Sequence, residues 1–217
     1  MHIEPGFLVA TKVAVANLAA VGVLSVYLPA LVKQPSLILR TLLAALFFSL
    51  FMQMFHLPIG ASELHFVGAM PIYILFGFVP TLFGFGLGLL LQGLLFEPGD
   101  LAHLSVNTLS LVIPLIAVHY TLGQRIAKLN VPTILKLDGA YYAGVTLMVG
   151  FWLFQGEEVT PLADWALFAS SYLAVVAFEP VFTLLLVKVI APYAQRPLLR
   201  LCLDLPTPLA ATPASAG

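Results

Sequence analysis

The sequence is divided into long, continuously apolar stretches, separated by short segments rich in proline, glycine or charged residues. A run of about 20 apolar residues is long enough to cross the hydrocarbon core of a membrane as a helix. Because the stretches are continuous rather than alternating, they indicate helices and not the strands of a membrane barrel. The pattern therefore predicts an all-α integral membrane protein, a bundle of about seven transmembrane helices. The stretches cover residues 7–31, 37–57, 66–78, 80–96, 105–127, 133–154 and 163–191.

Composition supports this class and excludes others. Of the 217 residues, 61% are hydrophobic and only 9% are charged, which is too little charge to cover the surface of a soluble protein. The net charge of −1 and the absence of a long basic run exclude nucleic acid as a partner. The single cysteine, Cys202, excludes a disulfide within the chain and a cysteine-based metal site.

The positions of lysine and arginine predict the orientation of the bundle. With seven crossings and the N-terminus outside, eight of the nine basic residues fall on the cytoplasmic side, as the positive-inside rule requires. With six crossings, these basic residues would be divided between the two sides of the membrane. The C-terminus is then cytoplasmic, and the expected location is a bacterial or archaeal plasma membrane. The eight residues are Lys33, Arg40, Arg125, Lys128, Lys136, Lys188, Arg196 and Arg200.

The third and fourth stretches and the two ends of the chain do not fit the simple pattern of long apolar helices. The third and fourth stretches are short and separated only by 78–80, so they are also compatible with one bent element. Residues 1–204 are expected to form one transmembrane domain, and the proline-rich segment 205–217 a disordered tail. No basic residue precedes Lys12, so no signal peptide is predicted and we expect the first residues to be retained.

No motif for nucleotide binding or hydrolytic chemistry is present, so the chain is not predicted to be an enzyme. An ionisable residue within an apolar stretch is a functional candidate, and Glu179 is one. The alternative is a glutamate that is hydrogen-bonded into the bundle, against Lys12 or a tyrosine. Gly84 and Gly88 form a small-residue face that either packs internally or docks a second membrane protein.

The predicted functional site combines the first two residues with one later histidine. The Met1 amine, the His2 backbone nitrogen and the His2 imidazole can close two chelate rings on one metal ion. Under the predicted topology His65 lies on the same side and adds a fourth nitrogen, a planar set that suits Ni(II) or Cu(II), while imidazole also suits cobalt. The alternative is that both histidines only form hydrogen bonds at the membrane interface. The other histidines, His56, His103 and His119, are expected to be interfacial or structural. His56 and His103 fall on the outer side, where they could assist at the entrance, but they are not predicted to be ligands.

Three blocks of this sequence resemble the CbiM/NikM family, the cobalt- and nickel-specific membrane components of energy-coupling factor transporters. Each block is similar in residues and order to a family motif, and together they cover about the first 120 residues. The first contains Met1-His2-Ile3 and Gly6-Phe7-Leu8; the second contains Gly60-Ala61-Ser62-Glu63-Leu64-His65 and Ile74-Leu75-Phe76-Gly77; the third contains Gln92-Gly93-Leu94-Leu95-Phe96 and Asn107-Thr108.

The resemblance implies a function and a set of partners. Met1, His2 and His65 fall on the metal-binding positions of the family, and the N-terminal segment folds back into the protein from the outer side. The transported ligand is Co(II) or Ni(II), with cobalamin synthesis as one use, and no resident cofactor is implied. The partners are a transmembrane coupling subunit, two ATPase subunits and, optionally, a small auxiliary membrane subunit. A metal-binding membrane scaffold without transport of its own is the alternative, and the choice between cobalt and nickel stays open.

Overall fold

A computed structural model describes residues 3, 6–59, 62–126, 128–157 and 160–204. Within these residues it contains eight α-helices and one two-stranded antiparallel sheet, which confirms the all-α class with one small hairpin added. The elements in chain order are α1 (Ala10–Lys33), α2 (Pro35–Met54), β1 (His56–Ile59), β2 (Ser62–His65), α3 (Ala69–Phe76), α4 (Phe78–Leu95), α5 (Leu104–Thr121), α6 (Val131–Leu153), α7 (Leu162–Ile190) and α8 (Pro197–Cys202).

The long helices have the length and the surface of membrane-spanning segments. In the described residues, five helical segments are long and apolar enough to cross a membrane. Helix α1 shows the surface clearly, because it buries only Ala16 and Ala20 and leaves Leu18 at 75% and Val26 at 71% exposure. A helix that presents large aliphatic side chains outward is solvated by lipid. The chain is therefore a multi-pass membrane protein.

Helices α2 and α4 pack against each other through the small-residue face of α4. A Cβ atom at Gly84 would lie 2.7 Å from the Cβ of Ala44, and one at Gly88 would lie 2.4 Å from the ring of Phe48. Further along, the Gln92 side-chain amide donates to Gln53 at 2.7 Å. Residue numbers rise together along both helices, so α2 and α4 run parallel. The glycine face serves internal packing, which is one of the two alternatives from the sequence.

Helix α3 runs in the opposite direction to α2 and is entirely buried. Its N-cap, Gly68, lies against the ring of Phe51, and its last residue, Phe76, packs against Phe47 with the rings tilted and their centroids 5.6 Å apart. Both flanking glycines have positive φ angles, 62° at Gly68 and 84° at Gly77, which other residues adopt at a cost. These two backbone turns limit the predicted segment 66–78 to eight residues and separate it from α4 at Gly77.

The β-hairpin was not predicted from the sequence. The apolar stretch 37–57 ends as a helix at Met54, and residues 56–59 pair with residues 62–65 instead. The residue before a proline is restricted to extended conformations, which opposes a helix at Leu57, before Pro58. The backbone N–H and C=O groups of this segment, which no longer form helical hydrogen bonds, are paired instead between the two strands. The hairpin lies at one end of the bundle, which we call the hairpin end.

The short C-terminal helix α8, also not predicted, is attached at the opposite end by Arg40. The Arg40 guanidinium donates to the carbonyl oxygens of Leu201 at 3.2 Å and Arg200 at 3.0 Å, and pairs with Asp204 at 3.1 Å. These carbonyls lie in the last turn of α8, where the helix lacks internal donors. The amide of Asp204 donates to Leu75 at the end of α3. We call this side of the bundle the Arg40 end.

Some sequence predictions are not tested by these observations. Seven membrane crossings, an external hairpin end and a cytoplasmic Arg40 end stay predictions. The tail 205–217 lies outside the described residues.

The α2–α4 contact leads to a stability prediction. In Gly84→Ala the new methyl group meets Ala44 and the adjacent backbone, which cannot move independently, so we expect a loss of about 1–3 kcal/mol. The matched control is Gly86→Ala, whose methyl group meets only Thr108 Cγ2 at an ordinary 3.4 Å. Thermal unfolding in detergent checks the pair. Equal stability of the two variants would contradict this description of the helix contact.

Candidate metal centre

His65 is the last residue of β2 and lies in the interior of the hairpin end. It is 4% exposed, although imidazole is polar, and its neighbours Leu64 and Val67 are buried as well. A polar group in such a place needs specific partners. The position therefore makes His65 a candidate for a defined chemical role.

Glu63 orients the His65 ring. The Glu63 Oε2 atom is 3.3 Å from His65 Nε2, and both side chains project from the same face of β2 because they are two residues apart. At this distance the carboxylate can accept a hydrogen bond from Nε2, which in the neutral ring would leave the lone pair on Nδ1. A carboxylate behind an imidazole is the usual arrangement that orients a metal-binding histidine.

The N-terminal segment is attached beside the same strand through Ile3. Ile3 forms an antiparallel bridge with Ser62, and its amide donates to Asn107 Oδ1 at 3.0 Å. Its carbonyl oxygen lies 3.2 Å from His103 Nδ1, and a carbonyl only accepts, so that nitrogen is the donor. The Ile3 side chain is fully buried. The amide and carbonyl groups of Ile3 are thus held by two side chains from the start of α5, next to β2.

The structure reaches only part of the predicted site. Met1 and His2 lie outside the described residues, whereas His65 is described. Within the described part of the chain, no group of three or more histidine, cysteine, aspartate or glutamate side chains is arranged to hold a metal ion. A complete nitrogen site at His65 would therefore need donors from elsewhere, as the prediction with Met1 and His2 assumes.

Two residues that position the N-terminal segment were not assigned this role from the sequence. His103 was expected to be interfacial or structural and binds the main-chain carbonyl of Ile3, while Asn107 binds the amide of the same residue. The sequence contained a partial signal, because Asn107 belongs to one of the blocks that resemble the CbiM/NikM family. A side chain can bind a backbone group of any residue, so the identity of Ile3 gives no sign in the sequence that its backbone is bound.

Glu179 is hydrogen-bonded into the bundle, as one alternative from the sequence expected. Its Oε1 atom accepts from the amide of Met70 at 2.8 Å, and its Oε2 atom accepts from the Tyr142 hydroxyl at 2.5 Å. The proposed partner Lys12 instead donates to the carbonyl oxygen of Gln155 at 2.5 Å. Met70 lies in the first turn of α3, which has no side-chain cap of its own, so Glu179 supplies the acceptor from α7.

The contact of Glu179 with α3 also limits the position at which the hairpin ends. Only residues 66–68 separate His65 from α3. Because three residues span at most about 10 Å, the position of the start of α3 limits the position of His65. The buried glutamate is therefore a structural support beneath the candidate site.

Comparisons with known proteins agree with this architecture. One crystal structure, described as that of a transition metal transporter, superimposes with a TM-score of 0.72 at 22% sequence identity, covering 92% of this chain and 96% of the other. That similarity shows a common fold. A comparison with curated protein sequences gave no match.

A comparison with models of protein families identifies the family of this chain. The family model CbiM, described as the cobalt uptake substrate-specific transmembrane region, matches residues 2–197, which is most of the chain. The resemblance noted in the sequence is thereby confirmed, and it extends beyond the three blocks that carried it. The chain belongs to the CbiM family and is a membrane component of metal uptake, not a catalytic enzyme.

Proposed function

We propose that this protein captures Co(II) or Ni(II) at the hairpin end and is the substrate-binding component of an energy-coupling factor transporter. The proposed ligands are the Met1 amine, the backbone nitrogen and imidazole of His2, and the imidazole of His65. The observation that carries the proposal is the attachment of Ile3 beside β2. His2 is bonded to Ile3, so its Cα lies about 3.8 Å from that of a residue fixed next to the strand of His65.

The sense of the bridge supports the same arrangement. Ile3 pairs with Ser62 in antiparallel fashion, and a pairing of this sense that continued toward the N-terminus would run along β2 from Ser62 toward His65. Those two residues are three positions apart, or about 10 Å along a strand. A chelate at the first two residues has the reach to meet an imidazole there.

The chemistry of the described residues suits a dehydrated divalent cation. Transfer of an ion from water into a protein interior is costly unless ligands replace its water shell. Imidazole, amine and amide nitrogens supply such ligands for cobalt and nickel. The Glu63 carboxylate next to His65 adds negative charge close to the bound cation and keeps the ring in one tautomer.

The energy for transport is proposed to come from partner subunits. The sequence contains no nucleotide-binding motif, so the family assignment favours a transmembrane coupling subunit and two ATPase subunits, with a small auxiliary subunit as an option. Release of the metal then follows movement of this protein against the coupling subunit in the plasma membrane. Supply of metal for cobalamin synthesis is one use of the cargo.

Substitution of His65 is the first test. His65→Ala removes one of four proposed nitrogen donors, and we expect metal affinity to fall by more than about 100-fold, with loss of cobalt or nickel accumulation in metal-starved cells. The matched control is His119→Phe, which replaces another ring-stacked histidine at the Arg40 end. Unchanged accumulation with His65→Ala would refute the proposal. Metal binding without accumulation in vesicles that contain the partner subunits would favour a scaffold role.

The N-terminal chelate has a separate test. One additional residue before Met1 moves the terminal amine away from His2, so the chelate rings cannot close. We expect the purified native protein to retain about one metal ion and the extended protein none, measured by elemental mass spectrometry. The control carries the same additional residue after Gly217. Equal metal content in the native and N-terminally extended proteins would exclude the proposed amine ligand.

A third test concerns the attachment of Ile3 to Asn107. Asn107→Leu leaves the Ile3 amide without its acceptor while keeping the branching and the number of side-chain heavy atoms, at a cost of about 1–3 kcal/mol. We therefore expect metal affinity to fall roughly tenfold, as measured by calorimetric titration with Ni²⁺. Thr108→Val is the control, because Thr108 is the adjacent buried residue of α5. Equal affinity of the two variants would show that the anchor does not support the site.

A further inference from the structure

An exposed histidine lies directly opposite the buried one in the hairpin. His56 is the first residue of β1 and His65 the last residue of β2, and the two are paired in the strand register. Their rings are stacked, with centroids 6.1 Å apart and planes inclined by 26°. Side chains of paired residues project from the same face of a sheet. The hairpin thus brings the two imidazoles together on one face.

A gradient of exposure runs across this face. His56 is exposed, the Glu63 side chain is 31% exposed and the His65 side chain is 5% exposed. Glu63 shares the face because it is two residues before His65 on the same strand. A nitrogen donor at the surface, a half-buried carboxylate and a buried nitrogen donor therefore share one side of a short hairpin, with His56 directly opposite His65 and Glu63 opposite Pro58.

This order matches the steps by which a hydrated divalent cation reaches a buried site. The ion must exchange its water ligands one after another, and a donor at the surface replaces the first of them before the ion leaves solvent. Imidazole is a good donor for cobalt and nickel, and a neighbouring carboxylate raises the local concentration of cations. His65 is buried and Glu63 is half-buried, whereas His56 is exposed.

We propose that His56 is a capture ligand, which binds the incoming divalent cation at the surface and transfers it to the buried site at His65. This inference rests on the proposed function. In the proposed final state the metal ion is held by the Met1, His2 and His65 donors, and His56 is no longer bound. His56 acts only on the way in and, by microscopic reversibility, on the way out.

The transient role has a kinetic signature. A group that binds the ion only on the path between solvent and site lowers the barrier in both directions. Its removal must slow association and dissociation by the same factor and leave the equilibrium constant unchanged. A final ligand, or a residue that only supports the hairpin, changes the dissociation constant instead.

The test uses His56→Phe in the purified full-length protein. Phenylalanine keeps a ring for the stack with His65 and removes the nitrogen donor. We expect the association rate of Ni²⁺, added as the chloride, to fall about tenfold in stopped-flow measurements. The dissociation rate into excess chelator should fall by the same factor, with the dissociation constant unchanged. His119→Phe is the matched control and should leave both rates at the native values.

Each other outcome overturns the inference. Unchanged rates would show that His56 serves only ring packing, and a raised dissociation constant would make it a final ligand or a support of the site. If His56→Phe does not fold, as judged by thermal unfolding, His56→Asn keeps a small polar side chain at this exposed position and is measured in its place. His65→Ala separates the two hypotheses, because full Ni²⁺ affinity in that variant refutes the proposed function whatever the His56 variants show.

Discussion

The amide groups at the start of α3 are buried in the bundle, where neither lipid nor bulk water can accept their hydrogen bonds. Glu179 supplies an acceptor from α7 and at the same time accepts from Tyr142 of α6. One carboxylate thus joins three helices, α3, α6 and α7, at the start of the short buried helix. The hairpin is attached to that helix by residues 66–68, so the depth of His65 depends on this contact.

The candidate site also depends on backbone pairing between β2 and two other segments. Ser62 pairs with Ile59 on one side of β2 and with Ile3 on the other. The strand that ends in His65 therefore lies between two segments at this point, and both of its edges are used. Asn107 and His103 complete the arrangement by binding the amide and the carbonyl of Ile3. The site is built largely from backbone contacts.

That construction explains what could and could not be predicted from the sequence. Long apolar runs correctly indicated the long helices, and the spacing of Gly84 and Gly88 indicated a close helix contact, because hydropathy and side-chain size are local properties. The hairpin was missed because its first two residues end an apolar run and because its strands, although paired locally, lack the alternating apolar pattern that indicates a strand. The roles of Asn107 and His103 were missed for a related reason, since they recognise a peptide group that every residue has. Met1 and His2 stay predictions.

The burial of α3 has a consequence for the movement of the cargo. All eight of its side chains are buried, so the short helix fills the centre of the bundle between the hairpin end and the Arg40 end. Moving a single charge from water into a medium like this costs on the order of 20 kcal/mol without compensating ligands, and a divalent ion costs more. In this arrangement the space that α3 occupies is therefore closed to an ion. A path for a metal ion along this helix would require α3, which turns at a glycine on each side, to change its position relative to the surrounding helices.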